Sequence, residues 1–214
     1  MTFKNTIEAY DGLREKLELE GEEYQNKSVR SKPDNRIVKE ILGVSWKVID
    51  PSDVVRLIEM LEPSEGHANN RLEWLSMLGQ EFISPIPIFP SEVNINPYYS
   101  YSQRIYWQLP EVIKHLNNTK DYPDRQGLMA IWKPLDIMFV EGSEVPCSIA
   151  YHFLLRGGCL RLVYYMRSLN LETWPNDVYL SRVVRDYVAC QIGASPSSIM
   201  FLVGSLHTFR RRDE

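Results

Sequence analysis

Residues 145–168 read VPCSIAYHFLLRGGCLRLVYYMRS, and their pattern decides the fold. Ser148 to Leu155 and Cys159 to Met166 are two apolar runs separated by Gly157-Gly158, which predicts two long strands joined by a hairpin. Beyond them, Asp177 to Ile192 carries Val178, Leu180, Val183, Val184, Tyr187, Val188 and Ile192 as a broad apolar stripe, the pattern of a buried helix. Ser198 to Val203 is a last apolar strand, followed by Gly204-Ser205-Leu206-His207. Sheet-forming segments separated by helices, with no internal repeat, give an α+β order.

Upstream the signals are shorter. Thr6 to Tyr24 places Ile7, Tyr10, Leu13 and Leu17 at helical spacing, predicting an amphipathic first helix. Asn26 to Asn35 is a polar loop containing Lys27, Arg30 and Lys32. Val44, Trp46 and Val48 alternate with polar residues as in a half-buried strand, ended by Asp50-Pro51. Asp53 is placed to cap a helix through Leu61, Pro63 to Asn70 reads as a linker, and Arg71 to Leu78 as a short helix with Trp74, Leu75 and Leu78 inward and Gly79 at its end. Gln80 to Tyr99, with Pro85, Pro87, Pro90 and Pro97, reads as a long ordered loop. Pro110 to Leu116 predicts another helix and Leu128 to Trp132 a strand, with a turn at Tyr122-Pro123-Asp124-Arg125 between them.

The totals bound the function. A chain of 214 residues has room for one domain with a sizeable core, and 1–214 is read as one unit. A hydrophobic fraction of 44% with 24% charged residues excludes disorder. The net charge of −4 gives no bulk attraction to nucleic acid or to an anionic membrane, so an anionic ligand must be small and met by a local arginine cluster. Cys147, Cys159 and Cys190 match neither a disulfide framework nor a metal-binding pair, which sets a reducing cytoplasm as the expected compartment and no metal as the expected site. The start lacks an apolar signal core, and no run is long enough to span a bilayer.

Four groups in 145–209 carry chemistry. A cysteine in apolar sequence is usually a buried small hydrophobe; Cys147 becomes a nucleophile if Arg167 lies across the sheet and stabilises its thiolate. Arg167-Ser168, at a strand end, offers a guanidinium fork and a hydroxyl to a phosphate, or else is a surface pair. Asn176-Asp177 sits where a helix cap belongs. His207, at a strand end, reads as a core histidine or a ligand to substrate.

As a set these residues resemble the thymidylate synthase superfamily, and within it the phage dCMP hydroxymethylases. Pro146-Cys147 opens a strand, Arg167-Ser168 ends the next, Asp177 opens the long helix, and Gly204 to Phe209 ends the last strand as Gly-x-x-His-x-aromatic. Pro123-Asp124-Arg125 with Trp132, Tyr101, and Leu42-Gly43-Val44-Ser45 extend the resemblance over about residues 25 to 210. It implies a mixed sheet packed by helices, a sheet-to-sheet homodimer, a pyrimidine nucleoside monophosphate as substrate and methylenetetrahydrofolate as cofactor. Cys147 would add to carbon 6 of the base and make carbon 5 nucleophilic. Arg167, Ser168, Arg125 from the second subunit and Arg30 would hold the phosphate, His207 the sugar hydroxyl, and Tyr101 would stand near the nucleophile. Asp177, preceded by Asn176 as in the hydroxymethylases, implies cytosine, whose exocyclic amine needs an acceptor. Trp74 and Asn170 would meet the folate.

The sequence also departs from that pattern. Arg71 stands three residues before Trp74, where the family carries its catalytic glutamate, and Glu73 falls two positions later, about 200° away on a helix. Asn170 replaces an Asp, Phe209 a Tyr, the Arg167 to Asp177 segment is one residue short, and the tail that closes over folate in relatives is not matched after Arg210-Arg211-Arg212. The expected activity is hydroxymethylation of dCMP with methylenetetrahydrofolate and water. The alternatives are a related enzyme acting on CMP or dUMP, and a nucleotide-binding relative without turnover.

Overall fold

A computed structural model describes residues 1–25, 37–84, 101–122, 124–134, 136 and 145–210. The chain runs β1 (Thr2–Asn5), α1 (Thr6–Glu20), β2 (Glu22–Gln25), β3 (Ile37–Asp50), α2 (Val54–Leu61), α3 (Glu65–Ile83), α4 (Tyr101–Ile105), α5 (Leu109–Asn118), β4 (Leu128–Ala130), β5 (Ser148–Arg156), β6 (Cys159–Met166), β7 (Leu169–Asn170), α6 (Trp174–Ile192) and β8 (Ser195–Arg210). The expected loop at 26–35 and nearly all of that at 80–99 lie outside the described residues.

The strands form a mixed sheet in the order β1-β3-β8-β6-β5-β4, with β2 beside β3 and β7 beside β8. β8 pairs antiparallel with β3 and parallel with β6, so the end of the chain is the sheet's middle. The hairpin of β5 and β6 turns at Gly157 and Gly158, whose φ of 57° and 73° are open to glycine and strained for other residues. Alternation places Val44, Trp46, Val48, Leu160, Leu162, Tyr164, Ile199, Phe201 and Val203 on one buried face, where α6 packs on β6 and β8 and α1 on β3. The opposite face presents partly exposed Leu154, Tyr165, Met200 and Leu202.

Register builds an aromatic row across the buried face. Trp46 lies opposite Phe201, Phe201 beside Tyr164, and Tyr164 opposite Tyr151, on four adjacent strands. Trp46 and Phe201 stack at 5.3 Å, Tyr164 lies 5.8 Å from Phe201, and Tyr151 lies 4.5 Å from Tyr164. Trp174, at the start of α6, meets Trp46 and Phe201 edge-on at 5.7 and 5.5 Å, which fixes where that helix begins.

Several local expectations are corrected. The first helix stops at Glu20 because residues 22–25 leave to pair with β3 as β2. Asp53 caps a different helix from the one it precedes: its carboxylate accepts the N–H groups of Thr6 and Ile7 at 2.9 and 3.1 Å, and makes no cap bond to α2. Residues 65–70 are helical, since Ser64 caps α3 there. Gly79 lies inside α3, where its missing side chain leaves room for Val183 of α6, 3.4 Å from where a Cβ would stand. Trp74 faces outward, 50% exposed. α6 begins at Trp174 with Pro175 in its first turn, so Asn176 and Asp177 lie inside the helix and Asp177 is not its cap.

Trp46 is fully buried at the junction of sheet and helix. Trp46→Ala is expected to destabilise the fold by about 3–5 kcal/mol, read as a lower urea midpoint at unchanged slope.

Candidate active site

The site grows from the entry to β5. Tyr101, on α4, turns its hydroxyl to the backbone there and accepts the N–H of Cys147 at 3.0 Å and that of Ser148 at 3.4 Å. Arg167, just past β6, returns across the hairpin. Its backbone N–H bonds the Cys147 carbonyl at 2.9 Å, its Nε donates to the Pro146 carbonyl at 2.8 Å and its Nη2 to the Val145 carbonyl at 2.9 Å. The same Nη2 lies 3.8 Å from Cys147 Sγ. A guanidinium at that range favours the thiolate, the nucleophilic form of the side chain. Nη1 has no partner among the described residues and is available to an anion.

Gly204 has a geometric reason to be glycine. A Cβ there would stand 2.7 Å from the Arg167 carbonyl oxygen. The absent side chain lets β8 run close under the segment that carries Arg167 and Ser168. Two residues beyond the neighbouring Ser205, His207 brings Nδ1 to 3.5 Å from Ser168 Oγ and its ring edge-on to Phe209 at 5.1 Å. Burial pushes the His207 pKa down, so the imidazole is neutral at neutral pH and offers a donor and an acceptor.

Asp177 enters from the helical layer. Tyr164 Oη donates to its Oδ1 at 3.2 Å and also bonds Ser148 Oγ, within the completely buried part of the hairpin. Burial raises the Asp177 pKa to about 7, against the opposing hydrogen bond from Tyr164, so the carboxyl changes charge near neutral pH. The preceding residue, Asn176, is held by Arg71 of α3: Nε donates to Asn176 Oδ1 at 2.8 Å, Nη1 pairs with Glu62 at 2.6 Å, and Nη2 lies 3.5 Å from the Glu172 carbonyl.

The structure thus joins Tyr101, Cys147, Arg167, Ser168, His207, Asn176 and Asp177 through short contacts. It does not bring Glu73 to them: that side chain is exposed, without a hydrogen bond or ion pair among the described residues, because Arg71 occupies the side of α3 that meets Asn176. Trp74 stands one turn beyond Arg71 with its indole half exposed, and Asn170 spends its carbonyl oxygen on the Glu172 N–H while its amide nitrogen has no partner among the described residues. An open indole and an amide donor fit a flat heteroaromatic group such as the pterin of a folate. Arg125 is exposed, its carbonyl 2.9 Å from His152 Nε2, and its side chain reaches none of these groups within the chain. Arg30 lies outside the described residues.

Sequence reasoning passed over Tyr164, Ser148 and Glu62. The first was visible: on the alternating strand Leu160, Leu162, Tyr164, Met166, it is the inward residue that carries a hydroxyl, and a buried hydroxyl needs a partner. Glu62 gave no signal beyond ending a helix before Pro63.

The shifted carboxyl has a stability signature. Between about pH 4 and about pH 7 the folded chain keeps the Asp177 proton that an unfolded chain has released, so the contribution of this group to stability falls as pH rises through that window. Asp177→Asn is expected to match the native chain near pH 4 and to exceed it at pH 8 by on the order of 2 kcal/mol, measured by urea unfolding at both pH values.

No protein-family model matches the chain. It is similar to a thymidylate synthase of Enterobacteria phage T4, at 24% identity over 122 residues, which are 56% of this chain and 42% of the relative. It is also similar to a putative thymidylate synthase of Methanococcoides burtonii, at 29% identity over 118 residues, 52% of each. The matched region spans about half the length of these curated relatives. The α+β mixed sheet is consistent with that kinship, and the two likenesses support the thymidylate synthase superfamily.

Proposed function

We propose that the protein is a pyrimidine nucleotide C5 hydroxymethyltransferase that converts dCMP to 5-hydroxymethyl-dCMP with methylenetetrahydrofolate and water. The observation that carries this reading is the approach of Arg167 to Cys147, which sets a cation against a thiol and leaves one face of the guanidinium for an anion. A C5 one-carbon transfer to a pyrimidine nucleotide is the reaction class that the relatives named thymidylate synthase suggest. The choice of cytosine rests on Asp177.

In this reading Cys147 adds as thiolate to carbon 6 of the base, and the electron pair released makes carbon 5 nucleophilic. Arg167 Nη1, Ser168 and Arg30 hold the phosphate, so binding energy from the dianion orients the ring over the sulfur. His207, neutral, bonds the sugar hydroxyl. Asp177 accepts from the exocyclic amine of cytosine, while Asn176, held by Arg71, keeps the first turn of α6 in place. When bound, methylenetetrahydrofolate supplies the one-carbon unit that carbon 5 takes up, and Trp74 and Asn170 are the residues that would hold it. Arg125 serves the second subunit of a homodimer formed by the open sheet face. Its carbonyl contacts His152 on that face, where Leu154, Tyr165, Met200 and Leu202 are partly exposed.

One observation favours a second reading, nucleotide binding without turnover. The residue at Asn176 is a guanidinium, which stays protonated and cannot carry protons as a carboxylate does. Glu62 is committed to that guanidinium as an ion pair at 2.6 Å.

The readings separate on tritium release from carbon 5 of labelled dCMP. The enzyme is expected to release tritium, and Cys147→Ser to release none; tight dCMP binding with no release, with or without folate, would favour binding alone. Leu202→Glu, which puts a charge on the open sheet face, is expected to give a monomer by sedimentation and to weaken dCMP binding at least tenfold through loss of Arg125 from the partner.

A further inference from the structure

Tyr164 is the buried group for which the mechanism above has no task. It lies on β6 with its ring between Phe201 and Tyr151, and its hydroxyl touches Ser148 Oγ and Asp177 Oδ1. Ser148 is the residue directly after Cys147, so three hydroxyl and carboxyl groups link the strand of the nucleophile to the helix that reads the base. A tyrosine has one proton to give. When it goes to Oδ1 of Asp177, the contact with Ser148 must be filled by the serine donating to Oη. The chain therefore points one way, from Ser148 through Tyr164 into the carboxylate.

We propose that Tyr164 is a specificity-determining positioning residue: with Ser148 donating to it, it donates a hydrogen bond to Oδ1 of Asp177 while keeping its own proton, holds that carboxyl as an acceptor, and so selects cytosine over uracil. The inference rests on the reading of this site as a pyrimidine nucleotide site. At position 4 cytosine presents an amine, a donor, and uracil a carbonyl, an acceptor. A carboxylate opposite that position attracts the first and repels the second, whereas a protonated carboxyl can donate to the uracil oxygen. Burial favours the proton, and the hydrogen bond from Tyr164 is the larger of the two that oppose it, the other coming from the backbone N–H of Asp177 itself. The other groups around the carboxyl do not replace it. Tyr151 of β5 hydrogen-bonds Tyr164 and Tyr101 of α4 accepts the backbone N–H of Ser148, and through the Coulomb field both phenols disfavour further negative charge in this cluster, while Arg71 of α3 is engaged with Asn176 and Glu62.

The test is Tyr164→Phe, which keeps the ring that packs in the aromatic row and removes the hydroxyl. Two readouts are needed: the titration midpoint of Asp177 by carbon-13 NMR of the ligand-free protein, and Kd for dCMP and dUMP by calorimetry at pH 7.5. The midpoint is expected to rise by about one pH unit, and the preference for dCMP over dUMP to fall about tenfold. Ser148→Ala, which removes the donor to Tyr164, is expected to raise the midpoint by about half a pH unit and lower the preference about threefold, and decides the matter if Tyr164→Phe does not fold. An unchanged midpoint and an unchanged preference in the variant, beside a native protein that prefers dCMP, would overturn this inference alone. A native protein that binds neither nucleotide, or prefers dUMP, would overturn the base reading and this inference with it.

Discussion

The row of aromatic side chains across β3, β8, β6 and β5 is the constraint on which the rest of the structure depends. Each member is set opposite the next by backbone register, so none can shift along its strand without breaking the ladder. Trp174 ties the row to α6, and Tyr164 is at once a member of the row and the donor to Asp177. Packing of the sheet and placement of the Asp177 carboxyl therefore share a side chain. The Asp177 carboxyl is positioned by the same contacts that hold sheet and helix together.

That arrangement explains which parts of the molecule were legible in sequence. The hairpin at 148–166, the last strand and the long helix were visible because their apolar patterns are long and uninterrupted. The start of that helix was misjudged, since Asn176-Asp177 has the chemistry of a cap, and only Trp174 reaching Trp46 and Phe201 shows why the helix begins earlier. Asp53 is a similar case: its carboxylate serves α1 across 47 residues of sequence, a partnership that local spacing cannot display. Trp74 reads as core by its hydrophobicity, yet its indole stands half exposed one turn beyond Arg71 on α3.

Within the candidate site, the order of Pro146-Cys147, Arg167-Ser168, Asp177 and Gly204 to His207 carried the resemblance, and Gly204 has a physical reason of its own in the close approach of the Arg167 backbone. What sequence could not supply was partnership. Arg71 looks like a lost acid until its three contacts are seen; it then appears as a clamp on Asn176 with Glu62 in tow. Tyr164 looks like one more core aromatic until its hydroxyl is traced. In both cases the decisive fact is a contact between residues far apart in the chain.

The three bonds that Arg167 makes to residues 145–147 have an energetic consequence. Nε and Nη2 are committed to the carbonyls of Pro146 and Val145, and the backbone N–H to that of Cys147, without any ligand in place. The Cys147 segment is therefore preorganised, and an anion that engages Nη1 does not have to order residues 145–147 first. Less of its binding energy is lost to immobilising the protein.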